Sequence, residues 1–203
     1  GIVTRVAASD LRVGTFEYFA ARKDTEALEQ LVDLAIARHD PHLADAPERP
    51  LALLDAVIGR QVDLVVHWLR IGFIHGVMNT DNCALSGETI DYGPCAMMGV
   101  YDPETVYSSI DRQGRYAFGR QPAIVAWNMA RFAEALLPLI DPDPKVAVEK
   151  ATPLVEGISE RFQTAWHRMM AQKLGLPSAP ETDADLFTDL LEQMKAQRLD
   201  YTV

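Results

Sequence analysis

Cysteine is scarce in this chain: only Cys83 and Cys95 among 203 residues. Two thiols cannot make the disulfide framework of a small secreted domain, and with no export signal at the start a reducing cytoplasm is the expected setting. Positive charge is also short, with 19 Lys and Arg against 29 Asp and Glu, a formal net charge of −10. Such a balance argues against a general role on nucleic acid or on a membrane surface, whose phosphates it would repel. No uninterrupted apolar run reaches the roughly eighteen residues of a membrane span. Repeats, low-complexity tracts and flexible linkers are missing too. The first residues, Gly1-Ile2-Val3, carry neither an initiating Met nor a signal peptide, as expected of a piece of a longer protein.

What is present is a hydrophobic content of 48%, enough for a sizeable core in one domain. Apolar residues at helical spacing predict a helix, or two short ones, over 17–39, ended by Asp40-Pro41. An acidic, Pro-containing loop over 44–50 then leads into a long apolar helix over 51–71. Further helices are predicted over 124–137, over 147–174 with Pro153 near its start, and over 185–197 with Thr182 or Asp183 as cap. Two short strands, around 83–85 and 89–90, read as a hairpin joined by Ser86-Gly87-Glu88. The aperiodic, polar stretch 97–121 reads as an ordered loop. The fold class expected is mainly α with a small β-hairpin.

Chemistry concentrates in His75-Gly76-Val77-Met78-Asn79-Thr80-Asp81-Asn82, followed nine positions after Asn82 by Asp91-Tyr92-Gly93-Pro94. An Asn amide oxygen and a carboxylate suit Mg²⁺, a hard cation that takes a few protein oxygens and leaves the rest to water and phosphate. The predicted hairpin would present Asn82 and Asp91 at neighbouring ends. This is the layout of a kinase catalytic loop, H-R-D-x-x-x-x-N, with its later metal-binding Asp. His75 and Asn82 keep that spacing, but Val77 stands where the base Asp belongs and cannot accept a proton. A carboxylate returns at Asp81.

The unbroken strings H-G-V-M-N-T-D-N and I-D-Y-G-P resemble the signature of the selenoprotein O family, pseudokinases that act as protein adenylyltransferases. The resemblance extends from residues 4–9 and 12–16 to Gly119-Arg120-Gln121-Pro122 and weakens after about Pro138. It implies the C-terminal lobe of a protein-kinase-like fold, here as one domain over 1–203, with ATP bound in reversed orientation and AMP passed to Ser, Thr or Tyr hydroxyls of proteins. It further implies that Asn82 and Asp91 hold Mg²⁺ or Mn²⁺, that Asp81 is the base, and that Arg5 and Arg12 reach the phosphates, a task suited to guanidinium forks. A Gly-rich loop and a Lys–Glu pair would lie upstream of Gly1, so this chain alone is expected to be incomplete. A bacterial cytoplasm is the implied location. Beside D-Y-G-P, Cys95 matches a redox-sensitive position whose partner would lie beyond Val203. Two other functions stay open: a kinase-type phosphotransferase, which Val77 disfavours, and a non-catalytic nucleotide-binding module.

The remaining features have simpler readings. His75 reads as a hydrogen-bonded structural histidine, and His67 and His167 as core-edge residues. His39-Asp40-Pro41-His42 reads as a solvated loop, and Trp127, Phe132, Phe162 and Trp166 as core. From spacing alone Arg5 and Arg12 could equally be surface ion-pair partners. Arg112, Arg115 and Arg120 are either a solvated loop or a contact for substrate or phosphate.

Overall fold

The computed structural model describes residues 4–176 and 184–202. Two helices occupy the first predicted segment, α1 (Val13–Ala21) and α2 (Thr25–His39). The Asp24 carboxylate caps α2 by accepting from the Ala27 N–H at 3.1 Å, while Glu26 in the first turn and Arg38 and His39 in the last complement the helix dipole. Leu28, Val32, Ala35 and Ile36 give α2 its buried stripe.

The central helix is α3 (Arg49–Ile71), which opens with Pro50 in its first turn and closes at Gly72 in the left-handed conformation. Its buried positions from Leu53 to Leu69 pack against α4 (Gln121–Ile140) and α6 (Ile158–Lys173), and α1 lies against α4. Phe16 of α1 meets Phe132 of α4 edge-on at 5.0 Å. Phe118–Ile140 is long and apolar enough to cross a membrane, with mean hydropathy 1.4, although it carries Arg131 and Glu134. Here its apolar side is the core face packed on α1, α3 and α5.

Several expectations need correction. The segment 147–174 is not one helix: α5 (Pro144–Glu156) and α6 are separated by Gly157. Pro153 lacks the N–H that would bond a turn back, and Gly157 is a poor helix former, so the axis breaks there. The predicted hairpin of 83–85 with 89–90 does not form. Residues 83–85 pair instead with 11–13, through Val13 N–H to Cys83 O at 3.0 Å and Leu85 N–H to Leu11 O at 2.9 Å. The regular sheet is β1 (Phe73–Ile74) antiparallel to β2 (Ala96–Met97). Finally, Trp127 is not core, being 41% exposed, whereas Phe132 and Phe162 are buried.

The last helix, α7 (Ala184–Ala196), falls where 185–197 was predicted, and its predicted cap lies outside the described residues. Phe187 of α7 is buried against Trp166 and His167. His67 is exposed, its ring bonded to the Asp63 carbonyl. Between β2 and α4 the chain is a turn-rich loop ending in a 3₁₀ turn, Phe118–Arg120.

Candidate nucleotide and metal site

The pairing with β2 and four side chains fix the loop that follows β1. Phe73 and Ile74 pair with β2 on one side, and on the other Gln121, fully buried at the start of α4, accepts from the His75 N–H (3.1 Å) and donates to the Phe73 carbonyl (3.0 Å). Two turns along the same helix, buried Asn128 donates to the Met78 carbonyl at 3.1 Å. On α3, Gln61 donates to Ala84 O (2.6 Å) and Arg60 to Leu85 O (2.8 Å). Buried backbone groups need partners, and these side chains supply them where no strand can.

His75 is buried and structural, as its sequence context predicts. Ile90 O accepts from Nε2 at 2.7 Å, so Nδ1 is the bare nitrogen that receives the Val77 N–H at 3.3 Å. Burial, the largest cause, holds its pKa below the ordinary histidine value. The same ring therefore ties the 75–82 loop to the residue before Asp91. Gly76 has φ +86°, and a Cβ there would stand 2.9 Å from Pro94 Cγ, so glycine lets the D-Y-G-P turn close over the loop.

Asn82 ends a 3₁₀ turn, Thr80–Asn82, and its Nδ2 donates to Val77 O at 3.0 Å. That bond fixes the amide's orientation and leaves Oδ1 as the oxygen available to a cation. Asp91 is exposed, sits in the left-handed region at φ +54°, and accepts no hydrogen bond among the described residues. Nor does a hydrogen bond join it to Asn82. The donor set is hard oxygen, which fits Mg²⁺ or Mn²⁺; among the described residues no group of three His, Cys, Asp or Glu makes a different metal site.

Asp81 lies against α1: a Cβ on Gly14 would fall 2.2 Å from Asp81 Oδ1. The Asp81 carbonyl accepts from Arg12 Nη1 at 3.3 Å, so two predicted site residues meet. Arg12 also approaches Asp10 at 3.7 Å. Arg5 and Asp91, with Ser9, Asp10 and Ile90, line a cleft of about 300 Å³. In it Arg5 pairs with Glu88 (3.0 Å) and donates to Thr89 O (3.2 Å). Glu88 also accepts from the Ala8 N–H at 2.7 Å, the chief reason its pKa falls below the usual carboxylate value.

Residues 4–12 thus form a strap over the site, pinned as well by Arg38 Nε to Ala8 O (2.5 Å) and by Ser9 Oγ with His39 Nε2 (2.7 Å). The His39-Asp40-Pro41-His42 segment is accordingly solvated only in part, at the exposed Pro41 and His42. Asp40 is buried and receives both guanidinium nitrogens of Arg60, at 2.6 and 2.9 Å. Cys83 is buried, which pushes its thiol up to about 12, while Cys95 is half-buried with its thiol directed at Tyr92 O. Sequence reasoning missed Glu88, Gln121 and Asn128; Gln121 stood within a quoted motif, but a lone amide carries no spacing signal. A mostly apolar groove of about 450 Å³, lined by Leu69, Ala126, Phe162 and Trp166 among others, touches none of these residues.

Comparison with known proteins agrees with the motifs. The family model described as "Protein adenylyltransferase SelO" matches residues 1–203. A protein named "Protein nucleotidyltransferase YdiU" from Cereibacter sphaeroides is 59% identical over 202 residues, covering 100% of this chain and 42% of the relative. Proteins of the same name from Rhizobium rhizogenes and Alcanivorax borkumensis are each 56% identical, covering 100% and 99% of this chain and 40% and 42% of theirs. The chain spans about two fifths of the length of the curated relatives it matches.

Proposed function

The chain belongs to the protein adenylyltransferase SelO family, and from that membership we propose that the complete protein moves AMP from ATP onto Ser, Thr or Tyr hydroxyls of other proteins. The 203 residues act as the C-terminal lobe of a kinase-like fold. The observation that carries this reading is the meeting of the Arg12–Asp81 pair with the loop that holds Asn82, beside a cleft shared by Arg5 and Asp91.

In this mechanism Arg5 and Arg12 hold phosphate oxygens with their planar forks. Asn82 Oδ1 and the Asp91 carboxylate would hold a divalent ion, which would supply positive charge to offset that of the phosphates. Asp81 takes the proton of the acceptor hydroxyl as its oxygen attacks the α-phosphorus. The new oxygen–phosphorus bond forms as the bond from the α-phosphorus to the bridging oxygen breaks, and pyrophosphate leaves with that electron pair. Val77, an aliphatic residue at the usual base position, leaves Asp81 as the carboxylate on this loop.

The test is transfer of label from α-labelled and γ-labelled ATP by the complete protein with Mg²⁺ or Mn²⁺, alongside Asp81→Ala and Asp91→Ala. Protein should take the α-label, and both variants should lose it. Labelling from the γ-position alone would make the protein a kinase. Mg-ATP binding with no transfer of either label would make it a non-catalytic binding module.

A further inference from the structure

Helix α4 has a second side. While Gln121 and Asn128 face the site loop, Trp127, the neighbour of Asn128, is exposed. Two guanidinium groups flank its ring, Arg115 at 4.7 Å and Arg131 at 5.6 Å from the centroid. A guanidinium stacked on an indole uses its face for the ring and keeps its N–H edge for an acceptor, so it is a fork held ready. Arg112 stands exposed in the preceding turn, and Ile110, 80% exposed, adds an apolar side chain to the same turn.

Nearby acids offset this surface only in part. Asp111 gives its two oxygens to the backbone N–H groups of Arg115 (2.8 Å) and Tyr116 (2.7 Å). Glu104 pairs with Arg120 at 3.4 Å, and Glu134 with Arg131. Among the described residues, Arg112 and Arg115 have no carboxylate within ion-pair distance. In a chain of net charge −10 this is a local inversion of sign. The loop is also joined to the site: Tyr107 Oη donates to Met97 O at 3.1 Å, in the strand paired with the one that leads into His75.

We infer that Arg112, Arg115 and Trp127, with Ile110 at their edge, dock an acidic segment of the protein that receives the nucleotide. This rests on the transferase reading above and names the substrate class for it. A short carboxylate-bearing segment meets only the local field, since charges beyond about 8 Å are screened at physiological salt. A long polyanion such as nucleic acid would meet the whole acidic molecule and be repelled.

The experiment is fluorescence anisotropy of the complete protein with three labelled probes: a short Asp- and Glu-rich peptide with a central Ser, the same peptide with Lys at the acidic positions, and a single-stranded oligonucleotide. The acidic peptide should bind, and an Arg112→Glu/Arg115→Glu variant should weaken it about tenfold or more, as should raised salt. Trp127→Leu should weaken it as well. The melting curve and Mg-ATP affinity of these variants should match the wild type, and in turnover KM for an acidic acceptor should rise with kcat kept. Equal binding of the acidic and Lys peptides, an unchanged affinity after charge reversal, or preferential binding of the oligonucleotide would each overturn the proposal. Because the anisotropy needs no catalysis, peptide binding without AMP transfer would support the docking surface and count against the transferase reading alone.

Discussion

Gln121 takes, for His75, the place of a missing strand: one side-chain amide accepts the His75 N–H and donates to the carbonyl of Phe73, two residues back. These groups point to the same side of the extended chain, opposite the edge that pairs with β2. Gln121→Leu removes both partners and leaves two buried backbone groups unpaired. The expected loss is about 2 to 6 kcal/mol, at about 1 to 3 kcal/mol per buried unsatisfied group. Chemical denaturation measures it, and a loss under about 1 kcal/mol would mean that water replaces the amide.

Gly14→Ala separates activity from stability. Alanine favours the helix by up to about 1 kcal/mol over glycine, yet its Cβ would occupy space 2.2 Å from Asp81 Oδ1. Asp81 has to turn away. The complete protein should melt no lower than wild type while AMP transfer falls by about 10²-fold, the scale of a displaced catalytic group. Full activity in this variant would remove Asp81 from the mechanism.

For Arg5 the two tasks, ion pair and phosphate contact, predict different variants. Its pair with Glu88 is open to solvent, with side chains 37% and 29% exposed, and such pairs add little to stability. Arg5→Ala and Arg12→Ala should therefore shift the melting midpoint by no more than about 2 °C but strongly weaken Mg-ATP binding in calorimetry. Lysine should restore only part of it, having no fork. A midpoint that collapses together with nucleotide binding would make both arginines structural.

Acid should loosen the loop through His75. Its folded pKa lies below the ordinary 6.5, so between those values the unfolded chain binds a proton that the folded chain refuses. Stability is then fully present above about pH 6.5 and is lost as pH falls towards the folded value. Protonation would also place a hydrogen on Nδ1, where the Val77 N–H now donates. His39 is shifted in the same direction, by burial first and then by Arg60. Melting curves between pH 7.5 and 5.5, values chosen to bracket the ordinary histidine pKa of about 6.5, should show a shallower pH slope for His75→Gln. An unchanged slope would assign the dependence to other groups.

The contiguous parts of the candidate site were legible in the sequence, because Asn82 and Asp81 belong to one short string, and helices α1 to α4 follow from local periodicity. What depends on distant partners was not. Residues 83–85 look like half of a hairpin, yet their partners are residues 11–13, and alternation of side chains cannot name a partner strand. Asp40 looks like a loop residue until Arg60, twenty positions on, reaches it. Trp127 satisfies the helical period of the core, but its register on α4 turns it to solvent and to two arginines.

The strap over the cleft sets an order in time. Its contacts from Arg5, Ala8 and Arg12 to Glu88, Thr89 and Asp81 join residues 69 to 84 positions apart. At a synthesis rate of about 5 to 20 residues per second, Arg5 waits roughly 4 to 17 s on the ribosome before Glu88 exists, with its guanidinium unsatisfied by the fold. Loop closure over such a span follows the collapse of the helices that bring the ends together. Arg5 and Arg12, the candidate phosphate contacts, thus seat late, and the strap they belong to closes only once the core around α3 has formed.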